Sequence, residues 1–418
     1  MSLKAPQLKH LVEVITRMTA FDRPADAVLS AYFRENTKLG AQDRHLIAET
    51  AFACLRRHAM MSALCAPHPT SRKLALATLV RVRGMNLREL EDADLSKAEL
   101  AWIAELKGKA PELDLAGQTE LPAWVIERLG IDNEDDIRAL AKGLMESAPL
   151  DLRVNTLKMK RDAVLESLRA GGFDAEPTPF SPIGIRMKGK PALNRHPLFL
   201  EGAFEIQDEG SQLLGLIIGA RRGEMVVDFC AGAGGKTLLL GAQMASTGRL
   251  YAFDVSEKRL ANLKPRLARS GLSNVHPQLI AHENDARIKR LAGKVDRVLV
   301  DAPCSGLGTL RRNPDLKFRQ SPASVDRLSA MQASILESAA RLVKVGGRLV
   351  YATCSVLPQE NRAVVNAFLD AHPAFELVPM NTLLAEHKIA LDTGDFLEMA
   401  PHKHNTDGFF AAALTRKA

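Results

Sequence analysis

Hydrophobic positions along the chain follow two different periods. Over the first hundred or so residues they recur as on helices. Leu8, Leu11, Val12, Ile15 and Met18 keep the i, i+3, i+4, i+7 spacing of one apolar face. The same spacing predicts a second helix from about Gln42-Asp43, with Asp43 as its cap, through Leu46, Ile47, Ala51, Phe52 and Leu55 to Arg56-Arg57. A third is expected over 71–82. A polar stretch near 107–120, with Pro111 and Gly117, reads as a linker. Helices are expected at 122–129 and 133–145, then a strand by alternation over 150–158, a helix over 161–170 and a strand over 184–187. From Gly223 onward, short apolar runs alternate with amphipathic stretches. Strands are predicted near 225–229, 250–254, 276–280, 296–301, 348–353, 375–379 and 409–415, and helices near 237–246, 256–269, 324–344 and 359–371, with Gly346-Gly347 as a turn. Such alternation is that of a parallel sheet covered by helices. The expected layout is an all-α domain over 1–118, a helical linker and small α+β unit over 119–200, and an α/β, Rossmann-like domain over 201–418.

Composition narrows the class. The 418 residues are enough for two or three domains, each with a core, and 46% hydrophobic with 25% charged residues is ordinary for a globular protein. No apolar run approaches the ~20 residues that span a bilayer, so no membrane partner is expected. The opening Met1-Ser-Leu-Lys-Ala-Pro has no apolar signal core. Five scattered cysteines (Cys54, Cys65, Cys230, Cys304, Cys354) without C-x-x-C pairs exclude a zinc ribbon and a disulfide framework, and fit a reducing cytoplasm. Cys54 and Cys65 sit in apolar surroundings and read as core. The eleven histidines make no ligand constellation, His402 and His404 reading as loop residues, so no metal is expected. The net charge of +7 is uneven: residues 1–84 hold thirteen Lys/Arg against six Asp/Glu, and the rest is balanced. A basic module on a neutral body suggests a polyanionic partner. A solvated helix surface would look the same.

Chemistry concentrates in Met225-Val-Val-Asp-Phe-Cys-Ala-Gly-Ala-Gly-Gly-Lys-Thr237, an apolar run ending in an acid, then a glycine-rich turn, then the start of a helix. That is the layout of a nucleotide crevice in an open α/β sheet. Asp254 ends the next apolar run, where an acid accepts hydrogen bonds from two ribose hydroxyls. Three readings compete: a turn without ligand, a phosphate-binding P-loop ending in Gly235-Lys236-Thr237, and a site for S-adenosylmethionine. The P-loop pattern needs glycine at 230, where the chain has Cys. The run Arg297-Val-Leu-Val-Asp301 could serve as the acidic strand of an ATPase, so the loop alone barely separates the last two readings. Asp285 follows the third strand, where a carboxylate could meet an adenine amino group. A surface turn explains it equally well.

Two further cysteines lie at neighbouring strand ends. Asp301-Ala-Pro-Cys-Ser-Gly306 places Asp301 and Cys304 just past one strand, and Ala352-Thr-Cys-Ser355 places Cys354 just past the next. Ligands in such sheets bind at the carboxyl ends of the strands, so both thiols should face the crevice. A P-loop ATPase has no use for them. A thiol beside a methyl donor solves the problem of carbon 5 of a pyrimidine, which is a poor nucleophile until a thiolate adds to carbon 6. Asp301 could bond the polar edge of the cytosine.

Asp228-Phe-Cys-Ala-Gly-Ala-Gly-Gly-Lys236, Asp301-Ala-Pro-Cys-Ser-Gly306 and Ala352-Thr-Cys-Ser355, in this order, resemble the Sun-type (RsmB-like) RNA cytosine-5 methyltransferases. Arg153-Val-Asn155, Gln207-Asp-Glu-Gly-Ser-Gln212, Arg311-Arg-Asn-Pro-Asp-Leu-Lys317 and Asp407-Gly-Phe-Phe410 extend the resemblance over roughly 120–418. The run from Leu39 to Arg57 resembles NusB-like RNA-binding helical domains. The resemblance implies a Rossmann-like class I methyltransferase sheet with an all-α N-terminal domain and a small α+β unit. It also implies that S-adenosylmethionine is bound by Cys230, Ala231, Gly232, Ala233, Gly234, Gly235, Lys236, Asp254, Asp285 and Asp301. It makes Cys354 the nucleophile and Cys304 the residue that helps release the product. Ala233 stands where the family usually has proline. The expected partner is RNA, best guessed as rRNA, acted on by a monomer. The basic helices are the first candidates for gripping it, the α+β unit around Arg153 and the Arg311–Arg319 loop the second. A P-loop ATPase, an RNA-binding assembly factor and a DNA methylase are the remaining alternatives.

Overall fold

Residues 2–417 are described by the computed structural model. Their contacts divide them into two compact units, one of residues up to Ser147 together with Thr309–Pro322, the other of Ala148–Gly308 together with residues from Ala323 onward.

The first unit is helical. Its opening helix, Ala5–Met18, buries Leu8, Leu11, Val14, Ile15 and Met18, with Val14 rather than the expected Val12 on the inner face. Against it pack Ala41–Arg56 through Ile47, Ala51 and Leu55, and Ser71–Arg81 through Leu74 to Val80. Ala41–Arg56, the third helix of the structure because Ala25–Glu35 precedes it, is capped by Gly40 instead of Asp43, which sits in its first turn and accepts a hydrogen bond from Gln7 Nε2 at 2.6 Å. Burial pushes the thiol of Cys54 up to about 12 and that of Cys65 to about 11, so both are inert core groups. The expected linker contains a helix, Leu115–Thr119, capped by Asp114.

By contacts this unit runs on to Ser147, past the expected boundary near residue 118, because Ala123–Arg128 and Glu134–Met145 cluster with the helices before them. It also includes Thr309–Pro322, far away in sequence. Phe318 stacks on Phe21 with ring centroids 4.3 Å apart. Lys317 is 1% exposed, lies 3.5 Å from the buried Glu120 carboxylate and donates to Arg56 O at 3.1 Å. Arg56 in turn donates to Arg311 O at 3.2 Å, and Arg311 is itself buried. A loop that reads in sequence as a basic surface is an internal strut.

The second unit holds two sheets. The smaller consists of β1 (Leu150–Val154), β2 (Ala175–Pro177), β3 (Gly184–Met187) and β4 (Phe204–Ile206), all antiparallel in the order β2-β3-β1-β4. The helix Arg161–Ala170 covers it through Val164, Leu165 and Leu168. The larger sheet uses β5 (Met225–Asp228), β6 (Arg249–Asp254), β7 (Val275–Leu279), β8 (Val295–Asp301), β9 (Val343–Thr353), β10 (Phe375–Val378) and β12 (Phe409–Arg416), with β11 (Leu397–Met399) paired to β12. Its order is β10-β12-β9-β8-β5-β6-β7. Strands β5 to β9 run parallel, and β12 lies antiparallel between β9 and β10. Their apolar runs are buried on both faces, as parallel strands require. This is the expected Rossmann-like sheet. Gly346-Gly347 departs from expectation by bending β9 near its start. Strands β2, β4 and β11 and the buried helix Glu209–Ile218 had no predicted counterpart. Among the described residues, no helix is long and apolar enough to cross a membrane, and no group of three or more His, Cys, Asp or Glu is placed to hold a metal ion.

Candidate functional site

The chain leaves β5 for β6 on one side and returns to β8 on the other, so a crevice opens where β5, β6 and β8 end. Around it stand Asp228, Asp254 and Asp301. The glycine turn crosses the crevice from β5 to the helix Gly235–Gln243. Gly234 sits at φ +83°, and a Cβ there would come within 2.1 Å of Leu263 Cδ1, so only glycine fits. A Cβ at Gly232 would meet nothing within 4 Å, which leaves the turn open on that side.

The polar groups fix the turn and keep acceptors in reserve. Asp254, 4% exposed, accepts Gly232 N on Oδ2 at 2.8 Å and Ser256 N on Oδ1 at 2.7 Å. Thr237 Oγ1 donates to Asp228 Oδ2 at 2.7 Å, while Asp228 Oδ1 is buried and accepts nothing from the protein. Burial pushes the Asp228 carboxyl up to about 7, with Asp301 and Asp254 adding to the shift. Lys236 Nζ lies 2.7 Å from Asp301 Oδ2. Burial works against its charge, but the Asp301 carboxylate outweighs burial and holds the ammonium above its usual range. Asp285 caps the turn Ala286–Lys289, accepting Arg287 N at 2.9 Å and Ala281 N at 3.1 Å.

This donor set bears on the two ligand readings. Asp228, Asp254 and Asp301 stand against Lys236 and against Arg259, 3.9 Å from Asp254, and this acid-rich set suits a cationic ligand better than a triphosphate. The lysine and threonine of the P-loop pattern are already engaged with Asp301 and Asp228.

The small sheet secures the turn from outside. Arg153, on β1, is buried and donates to Gln207 Oε1 at 2.6 Å and to Gly235 O. Burial lowers its pKa to about 10. Arg266 donates to Ala233 O at 2.6 Å and pairs with Glu205 of β4. Arg153 therefore braces the glycine turn and is buried away from solvent. Arg266 and Glu205 were missed in the sequence because only the fold brings them to the turn.

The two cysteine loops meet beside the crevice. Cys304 follows β8, Cys354 follows β9, and their Sγ atoms are 3.4 Å apart. The hydrogen bond with Cys354 is the main cause holding the Cys304 thiol well above its usual range, followed by burial and the charge of Glu360. The two sulfurs are thus close enough to act as one unit at the ends of neighbouring strands. Cys230 is excluded as a nucleophile: burial, then Asp228, Asp301 and Asp254, push its thiol well above the usual range. Close backbone approach holds the pair, since Gly308 N donates to Cys354 O at 2.9 Å and Gly408 N to Gly308 O at 2.8 Å. A Cβ on Gly308 would fall 2.2 Å from Gly408 O.

Two family models match the chain: 16S rRNA methyltransferase RsmB/F over residues 216–415, and an RsmF/B-like ferredoxin-like domain over 121–194. A "probable ribosomal RNA small subunit methyltransferase B" of Synechocystis sp. is 35% identical over 322 residues, covering 75% of this chain and 71% of that protein. Among solved structures, that of PH0851 superposes with a TM-score of 0.81 at 25% identity, covering 100% of both chains. A methyltransferase homolog protein from Pyrococcus horikoshii superposes with a TM-score of 0.63 at 29% identity, covering 73% of this chain and 98% of that one.

Proposed function

The chain belongs to the 16S rRNA methyltransferase RsmB/F family, and on that premise we propose that it methylates carbon 5 of a cytosine in ribosomal RNA through a covalent bond to Cys354. One observation carries the reading: a contacting pair of thiols beside an acidic crevice that suits a sulfonium. The turn from Cys230 through Ala231, Gly232, Ala233, Gly234 and Gly235 to Lys236 holds the cofactor with Asp254, Asp285 and Asp301. Asp254 would take the ribose hydroxyls and Asp285 the adenine amino group. S-adenosylmethionine, when bound, supplies the methyl group as an electrophilic carbon on sulfur.

The chain's own residues prepare the base to receive it. The Cys354 thiolate adds to carbon 6, which makes carbon 5 an enamine carbon able to attack the methyl group. Asp301, kept close to Lys236, accepts from the cytosine amino edge. After transfer the carbon 5 proton leaves to a base, the carbon–sulfur bond breaks and Cys354 departs as thiolate. Cys304, protonated and in contact, donates its S–H to that departing sulfur and so eases release.

The test is to incubate the protein with small-subunit rRNA and methyl-labelled S-adenosylmethionine, then digest the RNA to nucleosides. Label should appear in 5-methylcytidine. Label in any other nucleoside sinks the cytosine-5 reading. Cofactor binding with no label on any RNA favours an assembly factor.

A further inference from the structure

Glu360 lies on the short turn Pro358–Glu360, six residues after the Cys354 thiol, and is fully buried. Its Oε1 accepts Ser305 N at 2.8 Å and Gln332 Nε2 at 3.0 Å. Its Oε2 accepts both Ser305 Oγ and Ser355 Oγ at 2.5 Å. Ser305 is the residue after Cys304 and Ser355 the residue after Cys354. The same Gln332 amide also donates to Pro303 O at 2.9 Å, on the other side of Cys304. The backbone carbonyl of Glu360 accepts the Tyr351 hydroxyl of β9 at 2.6 Å.

We propose that Glu360 is a positioning residue for the thiol pair: its carboxylate ties the loop after β8 to the loop after β9 and so keeps Cys304 and Cys354 in contact. The assignment rests on the roles given to the two cysteines above. All four donors to the carboxylate are neutral, and a buried carboxylate with four donors is satisfied without a cation. Without it, Ser305 N and the Gln332 amide would lose this shared acceptor and the two hydroxyls, 3.2 Å apart, would lose the group that orients them, a loss that is costly in a dry interior. The loops would then move apart to find new partners, and the thiols with them. Glu360 is fully buried and its carboxylate is taken up by the two cysteine loops and Gln332, so it acts through the cysteines.

Glu360→Ala and Glu360→Gln test the proposal. Glutamine is isosteric: its oxygen can keep the two N–H donors, and its amide can donate to the two hydroxyl oxygens after they rotate. With Glu360→Ala, kcat should fall about a hundredfold, the effect of a roughly 1 Å misplacement of a reacting group. The KM for RNA and the affinity for S-adenosylmethionine should stay within about twofold, because the crevice acids and turn are untouched. Glu360→Gln should recover most of the lost kcat. Diamide should join Cys304 to Cys354 readily in the unaltered protein, mapped by mass spectrometry, and severalfold more slowly in Glu360→Ala. An unchanged kcat, an unchanged rate of joining, or a kcat loss matched by equally weak cofactor binding would each overturn the proposal. The joining reaction needs no methyl transfer. If the unaltered protein makes no 5-methylcytidine but joining still depends on Glu360, the functional reading fails and the positioning stands.

Discussion

Two stretches that follow one another in the chain, Asp301–Gly308 and Thr309–Pro322, use polar groups to opposite ends. The first reads in sequence as a chemical motif at a strand end, and it carries Asp301 against Lys236 and Cys304 against Cys354. The second reads like a basic surface loop, with Arg311, Arg312, Lys317 and Arg319, yet Arg311 and Lys317 are among the largest fully buried side chains of the protein. Charge in a sequence is not charge on a surface. A buried cation is held by a specific partner, here Glu120 and backbone carbonyls, and contributes to one packing arrangement instead of to a ligand.

The sharpest way to break this contrast is to substitute both stretches and compare what each loses. Cys354→Ala should remove turnover, a loss of about 10⁴–10⁶-fold as for other covalent nucleophiles. It should also abolish the adduct with 5-fluorocytosine RNA while leaving the melting temperature unchanged. Cys304→Ala should let the adduct form with ordinary RNA and then retain it. A slow-migrating protein–RNA band on a denaturing gel should therefore accumulate with Cys304→Ala alone. The same band with Cys354→Ala would reverse the two roles.

Lys317→Met should do the converse, with large effects on stability and none on the chemistry of the thiols. Breaking one partner of a buried pair costs about 3–5 kcal/mol, although Glu120 keeps Ala59 N at 2.8 Å and Met60 N at 3.0 Å. Stability against pH offers a second reading of the same residue. Burial lowers the Lys317 pKa from 10.5 to about 8. Between those values the unfolded chain binds a proton that the folded one has released, so stability rises with pH over that window. Melting followed from pH 7.5 to 10.5 should show the rise in the unaltered protein and a flatter profile in Lys317→Met. Parallel profiles would mean that Lys317 is not desolvated in solution.

Asp254→Ala comes next in size. It removes a carboxylate that accepts Gly232 N and, in the proposed complex, the ribose hydroxyls. A hydrogen bond to a charged group contributes about 1.5–3 kcal/mol, so S-adenosylmethionine affinity should fall by roughly one to two powers of ten. Calorimetry showing an unchanged affinity would remove Asp254 from the cofactor site.

Much of the catalytic unit was legible because its signals are local. Period and punctuation placed the seven main strands, and the positions of Asp228, Asp254, Asp301, Cys304 and Cys354 at strand ends followed from that. What stayed hidden depends on tertiary structure. Nothing near Glu360 in the sequence marks it as the acceptor for two serines, one of them 55 residues away. Arg153 was legible as a motif but not as a brace for Gly235, because β1 and the cofactor turn meet only in the fold. The inward face of Thr309–Pro322 was hidden for the same reason, since Glu120, Arg56 and Phe21 supply its partners.

The smallest expected effect bears on the cations that do remain outside. Of the thirteen Lys/Arg in residues 1–84, Lys4, Lys9, Arg23, Arg34, Lys38 and Arg83 are exposed, and the others are at least half-buried. If the helices of residues 1–84 grip phosphates, these six are the first to do it, because the other cations there are at least half-buried. Removing the N-terminal helices would be a poor test, since Thr309–Pro322 would be deprived of the partners that bury it. Charge removal on the intact chain is cleaner. With Lys4, Lys9, Arg34 and Lys38 all changed to Gln, every phosphate that is no longer neutralised should flatten the log–log salt dependence of RNA binding by about 0.7–0.9. Affinity should drop most at low salt, where screening is weakest. S-adenosylmethionine binding should not change, because every residue assigned to it lies in the other unit. Titrating both proteins with RNA over a series of salt concentrations decides the matter. Equal slopes would mean that these cations are merely solvated, and would move the search for the RNA-binding surface to the exposed basic residues of the catalytic unit.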